Sequence, residues 1–255
     1  MHLGLVTYNL ARAWDLPTLL AHCEKTGFEA VELRTTHAHG VEPELSPAER
    51  ARVRETFSAS GVRLLSLGTT CEFHSPDPEE VRRNIARCAE FAELARDVGA
   101  AGVKVRPNGL PEGVPVSQTL EQIGKALGEC GEAAAACGAQ VWLEVHGRET
   151  GDLRHIRAIL DHAGHPNVLA CWNSNGTDKD ETGGIESNFR LVADRIGSVH
   201  INELYRPDYP YGELFRLLRE SGYQGYCLAE LGAESSDPLT VMRYYKALFD
   251  ALCRP

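Results

Sequence analysis

An α/β fold, a (β/α)8 TIM barrel in a single domain over residues 1–255, is what this sequence predicts, on three observations. Eight short apolar, β-branched segments recur along the chain, each followed by a helical stretch, at a mean step of about 32 residues, the length of one βα unit. Helix starts are marked by capping residues and several ends by glycine. No Gly-rich phosphate loop follows the first strand, where Thr7-Tyr8-Asn9-Leu10-Ala11-Arg12 stands instead, which argues against an open doubly wound sheet.

The strands are expected at Leu3–Thr7, Ala30–Arg34, Arg63–Leu67, Gly102–Arg106, Gln140–Glu144, Val168–Trp172, Gly197–Ile201 and Tyr226–Glu230. The first helix is read over Asp15–Thr26. The second starts at Ser46-Pro47-Ala48-Glu49, a capping box with proline at the first helical position, and the third at Asp77-Pro78-Glu79-Glu80 by the same logic. From there Val81, Ile85, Cys88, Ala92 and Ala95 step by three and four residues and lay one apolar stripe along a helix that stops near Gly99. Further helices are expected over Ser117–Cys137, Asp152–Ala163, Thr182–Arg195, Tyr211–Ser221 and Asp237–Cys253. Gly27, Gly61, Gly99, Gly138, Gly197 and Gly222 are placed to turn the chain back toward the next strand.

Composition narrows the function classes. With 36 acidic and 26 basic residues the formal charge is −10, and without a Lys/Arg block the chain is not expected to bind nucleic acid. No stretch approaches a membrane span, the first residues do not read as a signal peptide, and a cytoplasmic location is expected. The eight cysteines are scattered without CxxC spacing and read as small buried hydrophobes.

In a barrel of this kind the site lies where the strands stop. The polar residues there are Asn9, Glu32 with Arg34, Glu72 with His74, Lys104 with Arg106, Glu144 with His146, Asn173 with Asn175, His200 with Asn202 and Glu203, and Glu230. Glu144, Asn173, His200 and Glu230 end four consecutive strands, one βα unit apart. Together they would present two carboxylates, an imidazole and an amide oxygen to one point, a donor set for Mn²⁺, Zn²⁺, Mg²⁺ or Co²⁺. A divalent ion there would acidify the C–H beside a substrate carbonyl, with Glu144 and Glu230 as the proton-transferring carboxylates. Lys104 and Arg106 alternate on the fourth strand and could hold a carboxylate or phosphate; His39, His74 and His146 lie on loops where they could touch substrate. Trp14 and Phe73 could offer an apolar wall to a sugar ring, while alternation turns Trp172 outward toward the helices.

At these residues a resemblance enters. Leu143-Glu144, Cys171-Trp172-Asn173, Val199-His200-Ile201 and Ala229-Glu230 look like the metal-binding strand ends of the xylose isomerase-like TIM barrels, the sugar phosphate isomerase/epimerase superfamily, and the Gly27–Glu32 run resembles its second strand. The resemblance implies a metal site of Glu144, position 173, His200 and Glu230. It departs at 173, where the family has Asp and this chain Asn. His200-Ile201-Asn202-Glu203-Leu204-Tyr205-Arg206 resembles the H-x-x-E-x-x-R pattern of ketose 3-epimerases, which implies a substrate-binding role for Arg206; the His that this branch carries three residues beyond its Asp ligand is replaced by Gly176. The expectation is a metal-dependent isomerase or epimerase of a small sugar or sugar derivative, with a carbohydrate as partner and, as the resemblance implies, a homodimer as the assembly. The alternatives are a related sugar or polyol dehydratase and a non-catalytic, metal-free sugar-binding barrel. An endonuclease IV-like phosphodiesterase is disfavoured by the acidic charge and by the absence of its Asp-x-His pair beyond the seventh strand.

Overall fold

Eight parallel strands close into a barrel in chain order in the computed structural model, which describes residues 1–254. They are β1 (His2–Val6), β2 (Ala30–Arg34), β3 (Arg63–Glu72), β4 (Gly102–Arg106), β5 (Gln140–Glu144), β6 (Val168–Trp172), β7 (Ile196–Ile201) and β8 (Tyr226–Ala229). The helices between them are α1 (Leu16–Thr26), α2 (Pro47–Ser58), α3 (Pro78–Val98), α4 (Val116–Ala136), α5 (Leu153–Ala163), α6 (Glu186–Val192), α7 (Tyr211–Glu220) and α8 (Pro238–Leu252). Strand β8 returns to β1 through the pairs Leu3↔Cys227 and Leu5↔Ala229, so no sheet edge is left open.

The helix starts follow from side chains that satisfy free N–H groups. Asp15 accepts from the Thr18 amide at 3.0 Å, Ser46 and Glu49 form a reciprocal box, and Asp77, Asp152 and Asp237 cap α3, α5 and α8. Gly27, Gly99, Gly138 and Gly222 adopt the expected left-handed conformation, but Gly61 and Gly197 do not. Gly197 lies inside β7, where its missing side chain makes room for Trp142: a Cβ there would meet Trp142 Nε1 at 2.6 Å. Two other expectations are corrected. The sixth helix begins at Glu186, because Asp180 accepts from both the amide and the hydroxyl of Thr182 and holds that stretch as a turn; its expected last residues, Ala193–Arg195, form a separate turn of 3-10 helix. Strand β3 runs on to Glu72 after a register shift, which brings Glu72 opposite Arg106.

Alternation sorts the strands into two layers of contact. Val31, Leu33, Val103, Val141, Leu143 and Val199 face outward and are sealed beneath the helices. Inside, Val6, Ala30, Leu65, Trp142, Cys171 and Leu228 form a separate apolar floor. Trp142 fills the space left by Gly102 as well as Gly197. The polar inward positions lie above that floor, at the carboxyl ends of the strands. All eight cysteines are free thiols, as expected of scattered hydrophobes.

Candidate active site

Glu144 stands two residues beyond Trp142 on β5 and so points into the barrel above the floor; the same period of two brings Glu32, Lys104 and His200 inward on β2, β4 and β7. Asn173 and Glu230 follow the last residues of β6 and β8. Nδ1 of His200 lies 3.9 Å from Glu144 Oε1 and 3.6 Å from Glu230 Oε2, and one ligand atom from each of these three residues lies within 4.8 Å of the others. Asn173 Nδ2 donates to Glu144 Oε1 at 3.0 Å, which places its amide beside the same point. The next residue, Ser174, has a φ of 46°, a strained value for a residue with a side chain; its hydroxyl donates to the His200 carbonyl at 2.9 Å and ties the two strand ends together.

A second tier of residues orients these groups. His200 Nε2 faces Glu32 Oε2 at 3.3 Å, and Ser66 donates to that oxygen at 2.8 Å. With Nε2 donating to Glu32, Nδ1 is aimed between Glu144 and Glu230, where the neutral ring would carry its lone pair, an arrangement that recurs behind metal-bound imidazoles. Lys104 Nζ donates to Glu144 Oε2 at 2.7 Å in full burial. Burial alone would raise the Glu32 and Glu144 carboxyls, but His200 and Lys104 beside Glu32, and Lys104 and His200 beside Glu144, hold both below the usual carboxylate range. Burial works against the charged forms of Lys104 and His200 as well. The Glu144 and Glu32 carboxylates nonetheless lift Lys104, and the Cys171 sulfur with Glu32 lifts His200 well above the ordinary imidazole value.

Among the buried polar atoms without a hydrogen-bond partner, which include Glu32 Oε1, two belong to the converging residues: Asn173 Oδ1 and His200 Nδ1. Unpartnered buried polar atoms are costly, and these two belong to the residues whose other atoms converge with Glu144 Oε1 and Glu230 Oε2. The donor set, two carboxylate oxygens, an amide oxygen and an imidazole nitrogen, fits a divalent ion, and the orphaned atoms are the ones it would satisfy. Glu144, Asn173, His200 and Glu230 are therefore the residues that would hold it.

Above them opens a cavity of about 350 Å³ lined by Tyr8, Arg34, Arg106, Glu144, His146, Asn173, Asn175, Asn202 and Glu230. Arg106 and His146 thus lie where a substrate would sit. Other expected substrate contacts lie elsewhere. Lys104 is spent on Glu144 beneath the cavity, because it stands two positions before Arg106 on β4 and so one layer deeper. His39 donates to the Arg34 carbonyl at 2.7 Å and accepts from the Val41 amide at 3.0 Å, so both ring nitrogens hold their own loop. His74 stands behind Glu72, at 3.9 Å, outside the lining. Arg206 pairs with Asp208 at 2.6 Å in an adjoining exposed cleft that shares Asn175 and Asn202 with the main cavity. Phe73 is fully buried in the core, Trp14 lines a different cavity between the loops after β1, β2 and β8, and Trp172 turns outward, as alternation predicts, to donate to the Tyr209 hydroxyl at 3.0 Å. Of three further lining residues, Asn175 and Asn202 were read only as polar strand ends, and Tyr8 had no signal of its own in the sequence. Tyr8 lies under the Arg34 guanidinium at 4.7 Å; Asn175 is held by the Val145 carbonyl; Asn202 donates to the Ser174 carbonyl at 3.3 Å. Glu32, read as one of the polar strand ends, proves to be the partner of the ligand-type histidine.

Comparison with known proteins agrees with this architecture. Among solved structures the chain superposes on a D-psicose 3-epimerase from Clostridium cellulolyticum H10, at 17% identity over 99% of this chain and 98% of that one, with a TM-score of 0.82. A 3-keto-D-glucoside 4-epimerase from E. coli matches at 16% identity over 98% and 99%, TM-score 0.81, and an IOLI protein with a bound zinc atom at 17% over 99% and 98%, TM-score 0.81. At such identities the likeness is one of fold. No curated protein matches the chain. The sequence model of the xylose isomerase-like TIM barrels matches residues 20–250, nearly the whole length, and the chain belongs to that family.

Proposed function

We propose that the protein is a metal-dependent isomerase or epimerase of a small sugar or sugar derivative, acting by proton abstraction beside a carbonyl through an enediolate. The observation that carries this reading is the convergence of Glu144, His200 and Glu230 within 4.8 Å, with Asn173 Oδ1 and His200 Nδ1 buried and unpartnered beside them. A bound divalent ion, Mn²⁺, Zn²⁺, Mg²⁺ or Co²⁺, supplies the Lewis acidity that lowers the pKa of the C–H next to a carbonyl. Glu32 holds the ring of His200 in place through Nε2, and Lys104 keeps Glu144 ionised. Glu144 and Glu230 come from β5 and β8, well separated around the barrel, and so face a substrate in the cavity from different sides. One carboxylate removes the proton; return to the same carbon from the other side inverts it, and return to the neighbouring carbon shifts the carbonyl.

One observation favours a second reading, a sugar-binding barrel without metal or catalysis. Both oxygens of Glu144 already accept hydrogen bonds, from Lys104 and from the Asn173 amide. Proton NMR in D₂O separates the two. Incubated with ketoses, aldoses and sugar acids in the presence of Mn²⁺, the protein should wash solvent deuterium into the carbon beside the carbonyl, and Glu144→Gln with Glu230→Gln together should abolish it. Exchange that survives the double substitution rules out the proton-transfer roles. Binding without exchange in any member of the panel favours the second reading, and a product lighter by one water identifies a dehydratase.

A further inference from the structure

The charges around the cavity say what kind of substrate the site takes. Of the charged residues that line it, Glu144 and Glu230 are the carboxylates of the donor set, and the other two are arginines, Arg34 and Arg106. Counting the charged groups in contact with these or with His200, four carboxylates (Glu32, Glu72, Glu144, Glu230) face three fixed cations (Lys104, Arg34, Arg106). With His200 neutral, as a ligand must be, the cluster carries one negative charge in excess; a dication in the donor set turns that into one positive charge in excess. Asn173, being an amide, leaves that charge uncompensated. A buried excess charge is costly unless something pairs with it.

Both arginines are prepared to donate. The Arg34 guanidinium lies 4.7 Å from the centre of the Tyr8 ring, a contact that occupies its face and leaves its edge N–H groups free. Its one acidic contact, Glu230 Oε1 at 3.4 Å, is long for a hydrogen bond. Arg106 is anchored by Glu72 at 2.5 Å, while its Nε is buried without a partner. The two side chains rise from β2 and β4, strands two spacings or roughly 10 Å apart on either side of β3. Gly68, paired in register with Arg34, clears the way: a Cβ there would come within 3.1 Å of Arg34 Cγ and 2.8 Å of Glu32 Oε1.

We propose that the substrate is a sugar acid carrying a single carboxylate, bound by Arg34 and Arg106 while its carbonyl end lies over Glu144, Asn173, His200 and Glu230. This rests on the metal-dependent reading above and narrows its substrate class. A monoanion matches the single uncompensated charge, whereas a phosphate monoester carries nearly two. Planar bidentate donation from arginine suits a carboxylate.

The test is titration calorimetry on the Mn²⁺-loaded full-length protein with three matched pairs, D-glucuronate and D-glucose, D-galacturonate and D-galactose, D-gluconate and D-glucitol, together with D-glucose 6-phosphate. In at least one pair the acid should bind about tenfold or more tightly than its neutral counterpart. Arg34→Met and Arg106→Met, each confirmed folded by its melting transition, should remove that preference and leave the neutral ligand within about twofold; Arg106→Lys should retain part of it. Metal-free protein should show a smaller preference. Neutral ligands binding as tightly in all three pairs, the 6-phosphate binding tightest, or a preference untouched by both Met variants overturns the proposal. Deuterium exchange keeps the two claims apart: exchange into neutral ketoses without an acid preference overturns the carboxylate site alone, and an acid preference without exchange overturns the isomerase reading alone.

Discussion

Asn173 is the residue on which the proposed chemistry turns. Its amide lets Nδ2 donate to Glu144, and its Oδ1, buried and unpartnered, is left for the proposed ion. Asn173→Asp changes both. Without metal it sets a second buried carboxylate against Glu144 and removes a hydrogen bond, which should lower stability by about 1–3 kcal/mol. With Mn²⁺ it adds a charged ligand and should tighten the ion at least about tenfold. Thermal melts of both proteins with and without Mn²⁺ check this: the variant should melt lower when stripped and show the larger metal-induced rise. A variant no less stable than the parent when stripped would mean that the Asn173–Glu144 contact carries nothing. The proposed ligand positions were legible because each ends a strand one βα unit from the next. Glu32 carried the same signal, but that it serves His200 rather than a substrate follows only from the register of β2 against its neighbours.

At the scale of elements, caps and periods placed most of the strands and helices within a residue or two. What they could not show was why glycine stands at 197. Read as a helix cap, it is instead the gap in β7 that admits Trp142, and that packing joins positions 55 residues apart in sequence. Gly197→Ala should therefore overpack the barrel floor, with Trp142 Nε1 and Leu169 Cδ1 at 2.6 and 2.9 Å from the new Cβ, at a cost of about 1–3 kcal/mol. Gly212→Ala, in α7 with nothing within 4 Å, should instead gain up to about 1 kcal/mol. Urea unfolding of the pair checks both signs. Loops were the least legible elements. His39 looked available because it follows a strand, yet its ring closes the loop after β2; His74 and Arg206 were likewise drawn off by carboxylates two residues away in the chain, Glu72 and Asp208.

For the whole molecule, closure of eight parallel strands over an apolar floor leaves one polar mouth, and no described helix is long and apolar enough to cross a membrane. Stability should carry a mark of one buried acid away from the donor set. Asp178 accepts from the Tyr209 hydroxyl and the Asn175 amide, each at 2.7 Å, and burial lifts its carboxyl from 3.8 to about 7. Between those values the unfolded chain has released the proton that the folded chain keeps. Its contribution is therefore full below 3.8, falls as pH rises, and is gone above about 7. Asp178→Asn removes that dependence: the melting temperature of the variant relative to the parent should climb from pH 4 to 7 and hold level beyond. A difference that stays constant across the window would place the proton elsewhere.

The central claim is that Glu144, Asn173, His200 and Glu230 together hold one divalent ion, and elemental analysis tests it most directly. Protein soaked in Mn²⁺ and freed of excess should retain about one ion per chain, and His200→Ala and Glu230→Ala, treated alike and shown to be folded, should retain far less. No retained ion in the parent protein, or equal retention in both variants, would contradict the account.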